Sequence, residues 1–205
     1  LLVAPLVDQQ LPDVHLGELL VNQGRYEEAE DRLVNAVRVL RATGENSMAT
    51  FAEMFLARVH LERQQYERAE AVLAGVIEEA TEIGFAIVMA EAPLHLADLA
   101  RRRGQPEAAL VQLREALKNA GEVASAYQLT ESRFRAQALA ELGREGEALA
   151  TLDASLAMAE ARDQYYDIAM LLSTKADILG TSDPAAAQAV LARAALLKKR
   201  PGIRT

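Results

Sequence analysis

Few residues of this chain have the type and spacing that covalent chemistry needs. There is no cysteine, which removes a thiol nucleophile, a disulfide framework and a thiolate metal site together. No glycine-rich phosphate loop and no Gly-x-Ser-x-Gly elbow occurs. His15, His60 and His95 lack the His-Glu-x-x-His arrangement that holds zinc, and they read as packing or surface residues. Acid pairs such as Glu27-Glu28 and Glu78-Glu79 occupy neighbouring positions, which point in different directions around a helix, so they read as solvated faces. No catalytic residue, cofactor or metal is expected, and the chain is not read as an enzyme. What remains is recognition chemistry. Arg58, Arg101, Arg102 and Arg133 carry planar guanidinium forks, which bind carboxylate or phosphate in a bidentate manner. Tyr127 and Tyr165-Tyr166 are suited either to stacking on a planar ligand or to packing between structural elements.

The elements that must position these groups follow from a repeat. Ala29, Ala69, Ala109, Ala148 and Ala187 sit in the same short pattern, separated by 40, 40, 39 and 39 residues. The blocks run from Gly24-Arg25-Tyr26-Glu27-Glu28-Ala29 to a worn Ser182-Asp183-Pro184-Ala185-Ala186-Ala187. Self-similarity at such a period means an array of supersecondary units. Each anchor alanine opens an apolar stripe at three and four spacings, as in Ala29, Leu33, Ala36, Val37 and Leu40, and a second stripe lies upstream of each turn. Helix, tight turn, helix is therefore the expected unit, with copies at 11–44, 45–84, 85–121, 122–161 and 162–199. Gly44, Gly84 and Gly121 are expected to close second helices, Ser47 to cap the next one, and Asp183-Pro184 to supply a cap followed by proline at the first helical position. Pro93, inside a first helix, should kink it or delay its start. Leu1 to Gln10 read as the remnant of a preceding second helix, and Pro201 to Thr205 as a frayed tail.

Composition narrows the class. A hydrophobic fraction of 51% in 205 residues supports a buried core, and only 4% aromatics with abundant alanine suits close helix packing. A net charge of −8 opposes direct nucleic-acid binding, because phosphates need a cationic face. The basic runs Arg101-Arg102-Arg103 and Lys198-Lys199-Arg200 fall where helices end, complementing the helix dipole. The opening Leu1 to Val7 lacks a basic leader region and contains Pro5, so it is not read as a signal peptide. No interior apolar run approaches the roughly 20 residues a membrane helix needs. Lack of cysteine agrees with a cytoplasmic setting. The chain begins without methionine, and is read as a piece of a larger protein.

These residues resemble the tetratricopeptide repeat (TPR) family, whose first helix carries a Leu-small pair, followed by a Gly-Asp/Arg-Tyr turn and a second helix with two packing alanines seven apart. The first copy has Leu16-Gly17, Gly24-Arg25-Tyr26, Ala29 and Ala36, and later copies keep progressively less, with Val76 and Ser155 at the second small position. The period exceeds the usual length of about 34 residues, and the proline that normally ends the second helix is missing. HEAT and armadillo arrays repeat near this length, but the paired alanines seven apart favour the TPR reading; Gly24, Gly104 and Gly143 interrupt any heptad. The resemblance implies an all-α fold, a right-handed α-α superhelix of about five TPR-like helical hairpins. Stretched repeats of this kind are similar to those of bacterial signalling and transcriptional regulators.

In such a fold, the resemblance implies, first helices line a concave groove. Counting from each anchor alanine places Val14, Glu18, Phe51, Met54, Arg58, Leu61, Glu91, Leu94, Asp98, Arg101, Arg102, Arg133, Gln137, Glu141, Ala169, Leu172 and Ala176 outward. Candidate groove residues are Phe51, Met54, Arg58, Asp98, Arg101, Arg102, Arg133 and Gln137, with the arginines taking an acidic group and Phe51 and Met54 an apolar anchor. The competing reading pairs these arginines with Glu91, Asp98 and Glu141 in a salt-bridge lattice. The expected function is a non-catalytic interaction or ligand-sensing domain of a bacterial signalling or transcriptional regulator, binding a peptide, a partner domain or a small effector. The alternative is an independent scaffold or chaperone-adaptor. An apolar end on a cut array also invites a homodimer through the terminal repeats.

Overall fold

The computed structural model of the chain describes residues 3–118 and 120–198. Ten α-helices follow one another within them: α1 (Val3–Asn22), α2 (Tyr26–Thr43), α3 (Asn46–Glu62), α4 (Tyr66–Ile83), α5 (Ala86–Arg102), α6 (Pro106–Ala116), α7 (Ala124–Glu141), α8 (Glu145–Ala161), α9 (Tyr165–Ser182) and α10 (Pro184–Lys198). A 3-10 turn at Gly121–Val123 precedes α7, and no strand occurs among the described residues. The odd and even helices pair into five hairpins. Successive odd helices also touch, α1 to α3, α3 to α5, α5 to α7 and α7 to α9, whereas no two even helices pack together among the described residues. When one set of helices is in mutual contact and the other is splayed, the array curves with the touching set inside. The all-α superhelix of five hairpins is the result.

Small residues make the close approach possible. Ala29, Ala69, Ala109 and Ala148 are at most 1% exposed, and Ala36, Val76, Ser155 and Ala194 are buried at the second small position. Gly17 marks the tightest contact, since a Cβ there would lie 2.5 Å from Cδ2 of Leu33, itself fully buried. Leu33, Leu73, Leu113 and Leu152, each four residues after its anchor, extend the buried stripe.

The chain reverses direction by one recurring device. A residue in the left-handed region ends the helix, and the next amide donates to the carbonyl five residues back: Arg25 to Leu20, Glu45 to Leu40, Gln65 to His60, Phe85 to Ala80, Gln105 to Ala100, Arg144 to Leu139 and Gln164 to Ala159, at 2.8–3.0 Å. Glycine supplies the left-handed position at 24, 44, 84, 104 and 143, but Gln64 (φ 59°) and Asp163 (φ 52°) must adopt it with a side chain. Side-chain caps contribute little. Ser47 does not cap α3, which begins at Asn46 after Glu45 with no side-chain cap bond. Asp183 does cap, accepting from the Ala186 amide at 3.0 Å, and Pro184 opens α10.

Other expectations need correction. Gly121 does not close α6, which ends at Ala116; its positive φ opens the 3-10 turn instead. Pro93 does not delay α5, which starts at Ala86 and runs through it. Val3 onward continues directly into the first helix instead of forming an earlier one. The expected frayed tail, Pro201 to Thr205, lies outside the described residues, and Lys198-Lys199-Arg200 outside those whose side chains are described.

Two substitutions test this packing and turn chemistry by urea denaturation. Gly17→Ala should cost about 1 to 2 kcal/mol, because the methyl group's clash with Leu33 outweighs the gain in helix propensity. Gln64→Gly should stabilise by roughly 0.5 to 1 kcal/mol, relief of left-handed strain exceeding the added chain entropy.

Candidate binding cavity on the inner wall

Register along the odd helices sorts the candidate residues. Fifteen residues before the anchor alanines stand Val14, Met54, Leu94, Arg133 and Leu172. Four of these are at most 2% exposed. Each odd helix is flanked by its hairpin partner and by odd neighbours, so this position faces the core. Met54 is therefore no groove anchor, and Val14, Leu61, Leu94, Ala169, Leu172 and Ala176 are likewise buried instead of outward. Phe51 is half-buried, packed edge-on against Phe55 with centroids 4.8 Å apart and near Phe85 at 6.3 Å.

Asp98, Arg101 and Arg102 form a lattice. The Asp98 carboxylate, 2% exposed, accepts from Arg101 at 2.8 Å and from Arg102 at 2.7 Å. Arg101 also pairs with Glu141 on α7, and Arg102 with Glu62 on α3 at 2.6 Å. Burial pushes the Asp98 carboxyl up, but the two guanidinium groups more than offset it and hold it below its ordinary value. For these arginines the salt-bridge reading describes the geometry. Arg63 to Glu30 and Arg103 to Glu70 repeat another bridge between hairpins.

Arg58 and Arg133 stand apart, in a cavity of about 140 Å³ lined by Glu18, Asn22, Arg58, Glu91, Arg133 and Tyr166 together with His95, Thr130, Asp167 and neighbouring apolar groups. These residues come from α1, α3, α5, α7 and α9, so all five inner helices converge on it. Arg58 donates to Asn22 Oδ1 at 2.8 Å, lies 4.0 Å from Glu91 and sits over the Phe55 ring at 5.3 Å. Glu91 is otherwise engaged by His95 at 3.3 Å and by the Tyr127 hydroxyl. Burial pushes His95 below its usual value, so this ring, 5.9 Å from Phe134, is neutral and works as packing plus a donor.

Arg133 makes no ion pair among the described residues. Its guanidinium carbon lies 4.4 Å from the centroid of the Phe134 ring, a cation-π contact. Burial lowers its pKa, Asp98 opposes this, and the nearby Arg58 lowers it further. Burial also raises the Asp167 carboxyl and the Tyr166 phenol, leaving the latter a neutral donor at the cavity wall. The remaining carboxylate, Glu18, is 39% exposed at the rim. Gln137 lies elsewhere, in a second cavity between α7 and α9.

Of the eight candidate residues, Arg58 and Arg133 thus share the inner cavity, together with Glu18 and Glu91 from the wider set of outward positions and Tyr166 from the stacking candidates, while nothing in the sequence reading points to Asn22, His95, Thr130 and Asp167 there. One signal for Arg133 was available in the sequence: an arginine in a column otherwise occupied by Val, Met and Leu. Among the described residues no group of three or more His, Cys, Asp or Glu is arranged to hold a metal, and no helix is long and apolar enough to cross a membrane.

No protein-family model matches the chain, and no curated protein sequence does. In three dimensions it is similar to a crystal structure of nearly identical TPR-like repeats from Podosopora anserina, in a protein designated a kinesin light chain. That similarity has 17% identity and a TM-score of 0.54, covering 94% of this chain and 96% of the other. A single-substitution variant of the same protein matches at 16% identity and a TM-score of 0.55, over 94% and 95%. The likeness establishes the fold: this is a TPR-like helical-repeat chain.

Asp98→Asn should destabilise the fold by about 2 kcal/mol, since two partly buried guanidinium groups lose their shared anion while retaining Glu62 and Glu141. Because the folded carboxyl titrates below the unfolded one, its stabilisation is present above the unfolded value and lost as pH falls through the folded one. Urea midpoints followed from neutral pH into acid should therefore converge between wild type and variant.

Proposed function

We propose that this chain is a non-catalytic interaction module that captures an acidic group of a partner in the inner cavity. The single observation carrying this reading is Arg133, a cation without an ion-pair partner among the described residues, at a register position that elsewhere holds a buried Val, Met or Leu. Substituting charge for hydrocarbon in a core column is unfavourable unless something compensates it. A bound carboxylate, taken by the Arg133 fork and assisted by Arg58 and the Tyr166 hydroxyl, supplies that compensation. The cavity's 140 Å³ is below the usual range of about 300 to 1,000 Å³ for drug-sized ligands. It suits a small acid or the end of one acidic side chain. A whole helix, about 10 Å across, does not fit there.

Within this reading, the stretched repeats support a segment of a bacterial signalling or transcriptional regulator, with the cavity sensing an effector or a partner domain. Reading the gene on both sides checks it: an adjoining NTPase, helix-turn-helix or cyclase motif supports the regulator, and a lone short reading frame supports the adaptor.

Arg133→Leu restores the aliphatic column and separates the two roles of the residue. Without ligand the variant should be more stable than wild type by about 1 kcal/mol, the cation-π contact partly offsetting the relief of burying charge. Added glutarate should raise the melting temperature of wild type and leave that of the variant unchanged at the same ionic strength. Equal glutarate responses in the two proteins would overturn the reading.

A further inference from the structure

We propose a second recognition site, for a guanidinium or ammonium group, in the cavity between α7 and α9. The cavity, about 410 Å³, is lined by Gln137 and Glu141 of α7, Glu145 at the start of α8, and Thr174 and Asp177 of α9, with Arg101 at its edge. Two of its polar groups have no hydrogen-bond partner among the described residues, and one of them, Gln137 Oε1, is buried. Gln137 lines the cavity, and its Oε1 keeps less than 1 Å² of accessible surface and has no hydrogen-bond donor. Thr174 is 4% exposed, and no hydrogen bond satisfies its hydroxyl. A buried acceptor left without a donor is unfavourable, so Gln137 Oε1 marks a place where a donor belongs.

The array itself indicates which donor. Gln137 stands eleven residues before its anchor alanine, the register position that Asp98 occupies one repeat earlier. There the acceptor holds two guanidinium forks from its own helix, Arg101 and Arg102. On α7 the corresponding residues are Ala140 and Glu141, so the acceptor has kept its place while both cations have gone and a carboxylate has been added. Three acids, Glu141, Glu145 and Asp177, face one arginine, and Arg101 is already committed to Asp98 and Glu141. Asp177 makes no ion pair among the described residues and is exposed at the mouth. A guest cation then finds Asp177 at the entrance and the Gln137 carbonyl and Thr174 hydroxyl at the back. This site is independent of the acid-binding cavity and takes the opposite charge.

The source of the cation is a basic side chain of a bound protein segment or a free diamine, and one titration separates them. The side-chain amide resonances of Gln137 and the backbone amide resonances of Gln137 and Thr174 would be followed by NMR as N-acetyl-arginine methylamide, 1,4-diaminobutane or N-acetyl-citrulline methylamide is added. Saturable shifts with either cation and none with neutral citrulline are expected; the tighter of the two cations names the source. Asp177→Asn, on an exposed residue, should weaken that cation about tenfold, or roughly 1.4 kcal/mol. Gln137→Glu should tighten it. Citrulline shifts equal to those of arginine, no shift with either cation, or an unchanged dissociation constant in Asp177→Asn would each overturn the proposal.

Discussion

Seven turns of this superhelix, each ending a helix on a left-handed residue, depend on the same backbone hydrogen bond, from the amide after that residue to the carbonyl five positions earlier. The bond closes four hairpins and three junctions between hairpins. It satisfies carbonyls that a helix end otherwise leaves open, without asking for any particular side chain. That economy explains why residues at helix N-termini are as varied as Arg25, Glu45, Gln65 and Phe85, none of them making a side-chain cap bond. The position under constraint is the left-handed one. Where the array puts Gln64 in place of glycine, the geometry is kept at a cost in strain.

With direction reversed at fixed intervals, the inner helices meet through small residues, and their contacts set the curvature. Gly17 against Leu33 is the extreme case, and the buried anchor alanines repeat its logic. The curvature then brings α1 and α9 to the same cavity, although Glu18 and Tyr166 are far apart in the chain. The cavity is accordingly a property of the assembled coil. Neither Asn22 nor Asp167 has a local sequence signature that marks it as part of a site.

This separates what was legible in the sequence from what was not. The repeat, the helical hairpins and the all-α class follow from anchor spacing and apolar periodicity, which are local. Which side of an inner helix faces inward depends on three neighbours at once, and there the sequence reading failed at Met54, Leu94 and Leu172. These are apolar residues in a column that the fold buries. Charge pairing was half legible: Asp98 was correctly seen as a partner for nearby arginines in the lattice alternative, being three and four residues from Arg101 and Arg102. Arg133 could not be assigned that way, because no acid stands three or four residues from it on its own helix.

Arg133 and Gln137 are best understood together as departures from the pattern of their own columns. The first places a charge where other repeats have hydrocarbon; the second places a neutral amide where the preceding repeat has a carboxylate bound by two cations. Both lie on α7, four residues apart, and so on the same side of one helix. Stability alone would favour aliphatic packing at the first and a satisfied ion pair at the second. In a repeat array each unit contacts only its neighbours, so a unit that departs from the pattern is supported on both sides by units that do not. α7 can therefore carry two unsatisfied polar groups while α5 and α9 retain well-buried cores, which makes it the place in this fold where recognition is least costly to install.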